Sequence, residues 1–354
     1  MPIRATAWFL ETVGKPLVQR DLLIDTPSQG EVVVEVGACG VCHTDLGFAD
    51  GSVAPRHALP LVLGHEIMGT VVDAAPDASH WRGRRVLIPA VIPCGSCAWC
   101  AAGRGNACPQ QKMPGNDIHG GFATHVTVPA GALVPLDDVP SSIDARSLSV
   151  VADAASTAWQ GIRKAELAQG DVAFVVGTGG VGGFLVQMAK AVGAYVVACD
   201  VDERRLQAAA AQGADLVINV KDRNPRDVRK AAHGQARTWD VPSLRWRIFE
   251  CSGVPAGQQL AFTLLAQTAT MVVIGFTPTP VELRLSNVMA LDATIHGTWG
   301  CAPARYAEVM PLVLGGKVKL ADAVTYAPLS DVNRVLDDMA NHRLDRRVVL
   351  DPRL

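Results

Sequence analysis

The stretch that decides the fold is Val172–Gly183, VAFVVGTGGVGG. Val172 to Val176 form a continuous apolar run of strand length, and Gly177, Gly179 and Gly182 follow it as G-x-G-x-x-G. A helix is predicted over Gly182 to Val192. Gly177 permits a tight turn, Gly179 lets the backbone approach a pyrophosphate, and Gly182 lets helix and strand pack closely. Gly180 and Val181 complete the loop. The helix N-terminus turns free N–H groups and a positive dipole end toward phosphates. The next strand, Tyr195 to Cys199, leads into Asp200, where an acid binds a ribose 2′-OH. A carboxylate there repels a 2′-phosphate, which favours NAD over NADP. Arg204 and Arg205 lie beside it and weaken that preference, and Arg205 joins the expected cofactor contacts.

On the C-terminal side the alternation continues. Helix Glu203 to Gln212, strand Leu216 to Val220, and strands at Arg247 to Glu250 and Thr270 to Gly275 predict an α/β, doubly wound parallel sheet. On the N-terminal side the pattern changes. Glu31 to Val36, Gly69 to Val72, Arg85 to Ile88 and Thr124 to Val128 read as short strands separated by Gly and Pro, a β-rich domain. The expected organisation is a β-rich domain over 1–147, a dinucleotide-binding domain over 148–297, and a 298–354 segment that returns to the first domain.

Composition agrees. At roughly 150 residues per domain, 354 residues suggest about two domains. The chain is 49% hydrophobic and 19% charged with a net charge of −2, too apolar for disorder and without the basic excess of a nucleic-acid binder. Val172 to Ala189 carries no charge, but five of its residues 177–183 are glycine, so a loop is expected there and not a membrane span. Glu11 interrupts the N-terminus before an export signal can form. A cytoplasmic enzyme with no membrane or nucleic-acid partner is the expectation. The basic stretch Lys221 to Arg247 reads as a solvated face, with docking of a phosphorylated ligand as the sharper alternative.

Nine cysteines are unevenly spread. Cys94, Cys97, Cys100 and Cys108 lie within fifteen residues, close enough to surround one tetrahedral ion. A closed four-thiolate site is structural, and zinc fits it best; an iron–sulfur cluster or a nucleic-acid-touching ribbon are the alternatives. A second, scattered set comprises Cys42-His43-Thr44-Asp45, Gly64-His65-Glu66 and Asp153. One thiolate, one imidazole and one carboxylate would supply a catalytic zinc with three ligands and an open position. Spacing alone does not bring them together.

In order, CHTD, GHE, the cysteine lobe and GTGGVGG resemble the zinc-dependent medium-chain alcohol dehydrogenases over essentially the whole chain. The resemblance implies a GroES-like catalytic domain joined to a Rossmann domain, and two Zn2+ ions and NAD as cofactors. Cys42, His65 and Asp153 match catalytic zinc ligands, and Glu66 matches an alternate ligand. Thr44 matches the hydroxyl that takes the substrate proton, and Asp45 an acid supporting a zinc ligand. Cys94, Cys97, Cys100 and Cys108 match the structural zinc lobe. Cys39 is read as packing. A homo-oligomer, dimer or tetramer, is also implied.

Two departures stand out. Gly47 occupies the place of a proton-relaying His, so the relay must end through His43, the cofactor ribose or water. Asp153 replaces the usual Cys, which leaves the site formally neutral with Zn2+. The segments RHALPLVLGHEIMG, VIPCGSC, MPGNDIHGGFATH, LSVVADAAST, RIFECSG, RLSNVMA and GTWGCAPARY further resemble the 6-hydroxycyclohex-1-ene-1-carbonyl-CoA dehydrogenase subgroup. That resemblance implies oxidation of a ring hydroxyl in an alicyclic hydroxy-acyl-CoA during anaerobic benzoyl-CoA degradation. Arg56, Arg104 and the basic stretch are candidate contacts for CoA phosphates. Trp299 and Asn116 are candidate pocket residues, with core packing and a turn as their alternatives. The competing functions are a dehydrogenase of free alcohols and a non-catalytic zinc- and nucleotide-binding protein.

Overall fold

A computed structural model describes residues 2–354. Contacts divide the chain into two units: residues 2–156 with Gly300–Met310 and Leu320–Leu354, and Thr157–Trp299 with Pro311–Lys319. The division falls at Ser156/Thr157, not at 147/148. Of the residues between, Leu148 to Ala152 are buried in a 3-10 segment over Ala145–Ala152. The returning C-terminal segment is also split, since Pro311–Lys319 belongs to the second unit.

In the first unit, a seven-stranded sheet is centred on Glu31–Gly40, which pairs antiparallel with Glu66–Ala74 on one side and with Arg347–Asp351 and His125–Pro129 on the other. Its valines alternate poorly because both faces are covered: Val32, Val33, Val34 and Val36 are all buried. Register shifts at Val33/Val34 and Val36/Ala38 interrupt its ladder with Glu66–Ala74. A smaller sheet pairs Ile3–Leu10 with Val18–Ile24 and Leu61–Val62. Leu10, Leu61, Leu63, Ile67, Phe122 and Leu350 share the core.

In the second unit, six strands are all parallel, in the order Leu216–Asn219, Tyr195–Asp200, Val172–Val176, Trp246–Glu250, Thr270–Val273, Thr294–Gly297. Numbered along the chain this is 3-2-1-4-5-6, the Rossmann order, with its reversal beside Val172–Val176. That strand is buried at every position, as a central parallel strand must be. Val172, Phe174, Ile248, Leu265 and Met271 form its core. No helix among the described residues is long and apolar enough to cross a membrane.

Candidate metal centres and dinucleotide site

The scattered residues of the first unit meet. The Glu31–Gly40 strand ends with Gly40 opposite Glu66. Two residues later Cys42 caps the helix His43–Asp50, and its N–H donates to Asp45 Oδ2 at 2.9 Å. His65 precedes the paired strand. Asp153 is a break (φ −135°, ψ −69°) between the 3-10 segment and the helix Ala154–Lys164. Cys42, His65, Glu66 and Asp153 each present a ligand atom, all within 4.8 Å of one another. A Cβ on Gly40 would stand 2.1 Å from Glu66 Oε2, so glycine there makes the room the acid occupies.

The hydrogen bonds aim the group at a cation. Asp45, fully buried, accepts at Oδ1 from Gly64 N–H at 3.0 Å and lies 3.2 Å from His65 Nδ1. In the neutral ring this fixes the proton on Nδ1 and leaves Nε2 as the acceptor. His65 Nε2 and Glu66 Oε2 are buried and have no hydrogen-bond partner. Such orphans are costly unless something absent from the polypeptide satisfies them. His65 Nε2 lies 3.5 Å from Asp153 Oδ2, and Cys42 Sγ lies 3.8 Å from the same oxygen. Ligand bonds of about 2.0–2.3 Å in a tetrahedron give edges of roughly 3.3–3.8 Å, so zinc fits between them. Burial pushes the Glu66 carboxyl up to about 7, against the opposing pull of Arg347. Burial lowers the His65 imidazole, but Asp45, Asp153 and Cys42 outweigh it and raise it well above its ordinary value. Both shifts express an excess of negative groups in a buried space.

Sequence reasoning missed Arg347. Its Nη1 donates to Glu66 Oε1 at 2.6 Å and to the Val41 carbonyl at 3.2 Å. It comes from the strand Arg347–Asp351, 281 positions from its partner, and no local pattern marks it. Thr44 Oγ1 lies 3.8 Å from Cys42 Sγ. At Gly47 a Cβ would meet Val53 Cγ2 at 3.2 Å and Ser52 Oγ at 3.3 Å, a crowded place for a longer side chain. Cys39 is fully buried, with its thiol raised by burial.

The cysteine lobe is a second centre. Cys94–Cys108 and Cys97–Cys100 sulfurs are 3.5 Å apart, Cys97–Cys108 3.6 Å and Cys94–Cys100 3.9 Å. A tetrahedral Zn–S distance of about 2.3 Å implies sulfur–sulfur edges of about 3.8 Å. The spacing is far too long for a disulfide, and all nine cysteines are free. Backbone N–H groups of Ser96 and Cys97 draw the Cys94 thiol down to about 6. Burial and neighbouring sulfurs push Cys100 up to about 11.

In the second unit, Gly177 has φ +86°, and a Cβ there would strike Ser252 Cα at 2.6 Å. A Cβ on Gly182 would lie 1.8 Å from the Gly177 carbonyl oxygen, so helix and strand are in direct backbone contact. Gly179 caps the helix Gly180–Val192 and Val181 lies in its first turn, which places the loop at a helix N-terminus. Arg205 Nη1 is 3.6 Å from the Cβ position of Gly179. Asp200 ends its strand and accepts at Oδ2 from Thr178 N–H at 2.7 Å and Thr178 Oγ1 at 3.1 Å. It therefore holds the loop while retaining acceptor capacity.

Other candidates play different parts. Asn116 Oδ1 accepts from Arg56 N–H at 3.0 Å, the turn alternative, while Trp299 is 49% exposed. Arg56 pairs with Asp117 at 3.4 Å, and Arg104 is exposed. In the basic stretch, the Pro225–Thr238 helix is largely solvated, but Arg245 and Arg247 turn to the buried Asp171 at 2.8 and 3.7 Å.

Comparison with known proteins agrees with this geometry. The alcohol dehydrogenase GroES-like domain model matches residues 28–138, and the zinc-binding dehydrogenase model matches residues 180–315. An alcohol dehydrogenase of Geobacillus stearothermophilus is 31% identical over 91% of this chain and 91% of its own length. A NAD-dependent alcohol dehydrogenase of Sulfolobus acidocaldarius is 30% identical over 97% of this chain and 98% of its own. The crystal structure of the Aeropyrum pernix alcohol dehydrogenase superimposes with a TM-score of 0.86 at 27% identity, covering 98% of this chain and 100% of that one. The chain belongs to the zinc-binding alcohol dehydrogenase family: it is an oxidoreductase with a GroES-like and a Rossmann domain, and its cofactors are zinc and a nicotinamide dinucleotide.

Proposed function

We propose that the chain oxidises a ring secondary alcohol to a ketone with NAD, and that its substrate is 6-hydroxycyclohex-1-ene-1-carbonyl-CoA. The observation that carries the catalytic assignment is the buried Nε2 of His65, which no hydrogen bond satisfies and which Asp45 holds toward Cys42 and Asp153. In this reading Cys42, His65 and Asp153 hold the catalytic zinc, Glu66 is the alternate ligand, and Cys94, Cys97, Cys100 and Cys108 hold the structural one. When bound, zinc supplies Lewis acidity that favours the alkoxide, and NAD accepts the hydride. Thr44 takes the hydroxyl proton, so the carbinol carbon loses hydride, the oxygen loses a proton, and the thioester is untouched. With Gly47 in place of a relaying side chain, the proton would leave Thr44 through His43, water or, with NAD bound, the cofactor ribose. Gly177, Gly179, Gly180, Val181 and Gly182 cradle the pyrophosphate, Asp200 takes the ribose hydroxyl, and Arg205 flanks it. The carboxylate of Asp200 favours NAD over NADP.

The CoA substrate rests on the extended sequence resemblance over segments such as RHALPLVLGHEIMG and GTWGCAPARY. A second reading, oxidation of free alcohols, is favoured by the names of the relatives. Following NADH absorbance with the thioester beside cyclohex-2-enol separates them. Turnover of the thioester alone supports the CoA reading; equal turnover, or preference for the free alcohol, removes it. We further propose a cytoplasmic homo-oligomer. The outer edge of Thr294–Gly297 ends the sheet, and Phe276, Leu285 and Met289 are more than half exposed. Light scattering that returns a monomer at micromolar concentration would reject the oligomer.

A further inference from the structure

We infer that Tyr306, with Ser156, is a positioning residue for the metal ligand Asp153. The inference rests on the reading of Asp153 as a zinc ligand. Tyr306 is 2% exposed, and Ser156 is fully buried. The Tyr306 hydroxyl donates to the Ala152 carbonyl at 2.5 Å, and that carbonyl also accepts from Ala90 N–H at 3.1 Å. Both lone pairs of this oxygen are thereby engaged. Ser156 Oγ reaches the Asp153 carbonyl at 3.1 Å and Tyr306 Oη at 3.2 Å. The phenol has already committed its proton to Ala152, so Ser156 donates its own to Asp153, to Tyr306 or, at 3.4 Å, to the Ala152 carbonyl.

The place matters. Asp153 joins the 3-10 segment to the helix Ala154–Lys164 with φ −135° and ψ −69°, outside either helical conformation. The peptide on each side of its Cα is held by these two hydroxyls. Their carboxylate stands 3.5 Å from His65 Nε2 and 3.8 Å from Cys42 Sγ, where a shift of a few tenths of an ångström spoils a tetrahedral edge. The hydroxyls act by holding the peptide that carries the ligand. Tyr306 comes from Gly300–Met310, 150 positions from Ser156. This gives that returning segment a task at the metal site.

The test is Tyr306→Phe in the zinc-loaded full chain, beside Ser156→Ala, Val309→Ala and Asp153→Ala. Val309 is fully buried on the same helix and makes none of these hydrogen bonds. Zinc release to a chromophoric chelator resolves two phases. The inference expects the phase lost in Asp153→Ala to accelerate about 10-fold or more in Tyr306→Phe and in Ser156→Ala, since outer partners of ligands typically change metal affinity 10–100-fold. The other phase stays unchanged. With cobalt in place of zinc at the accelerated site, the visible ligand-field bands shift in Tyr306→Phe and not in Val309→Ala. Unchanged release in both hydroxyl variants overturns the inference, as does equal acceleration in Val309→Ala. If Asp153→Ala keeps both phases, the ligand reading itself falls. If it loses one while the hydroxyl variants match wild type, that reading stands and the positioning role falls.

Discussion

Replacing Asp45 with Asn changes one oxygen and tests the logic of the buried centre. Asp45 Oδ2 takes the Cys42 N–H at 2.9 Å, while Oδ1 takes Gly64 N–H at 3.0 Å and faces His65 Nδ1 at 3.2 Å. An amide offers one acceptor and one donor, so one side of this arrangement must fail. With its oxygen toward His65, the amide NH2 opposes the Cys42 N–H and the helix cap is lost. With its NH2 toward His65, Nδ1 becomes an acceptor and Nε2 carries the proton toward the metal, where it blocks ligation. Each charged hydrogen bond lost at a buried site costs about 1.5–3 kcal/mol. Spread over the metal equilibrium this is roughly a 10–100-fold weaker zinc affinity, the range for partners of ligating histidines. Chelator competition on the purified variant measures it, with circular dichroism to show that the fold is kept. Turnover at saturating zinc should also fall. A folded Asp45→Asn protein with wild-type zinc affinity would refute the argument that this carboxylate sets the imidazole.

Three further outcomes are expected. Gly182→Ala forces a methyl to within 1.8 Å of the Gly177 carbonyl oxygen and should weaken NADH binding by at least tenfold in a fluorescence titration; unchanged affinity would mean the loop does not bear the pyrophosphate. Arg347→Met leaves Glu66 a buried, unpaired acid and should lower the unfolding free energy by about 3–5 kcal/mol in metal-free protein, read by denaturant titration. Burial holds the His233 imidazole down at about 4, although its Nε2–H donates to the Leu264 carbonyl at 2.8 Å. The unfolded chain binds this proton near pH 6.5, so the contribution is complete above that pH and is lost as pH falls toward 4, a change of about 3 kcal/mol that His233→Gln should remove from the stability–pH curve.

The dinucleotide unit was legible because its signals are local. Strand, glycine loop, helix and acid follow within thirty residues, and the structure keeps Val172–Val176 as read, with the helix starting at Gly180 in place of Gly182. The cysteine lobe was legible for the same reason. The strand Val18–Ile24, VQRDLLI, went unread because it is mostly exposed and lacks alternation. Spacing leaves Cys42, His65 and Asp153 a scattered set, and only the family resemblance joins them as ligands, since chain spacing does not encode the turn at Cys42 or the break at Asp153. Arg347 and Tyr306 left no trace, because each acts on a partner more than a hundred positions away. The basic excess of Lys221 to Arg247 was partly misleading: Arg245 and Arg247 neutralise a buried Asp171.

The most direct test of the account is metal analysis of the full chain beside its Cys42→Ala variant. The account predicts two zinc ions per chain in the wild type. In the variant it predicts one, with alcohol oxidation abolished and NADH binding intact. A wild type that is active with one zinc, or a variant that keeps both ions and its turnover, would contradict it.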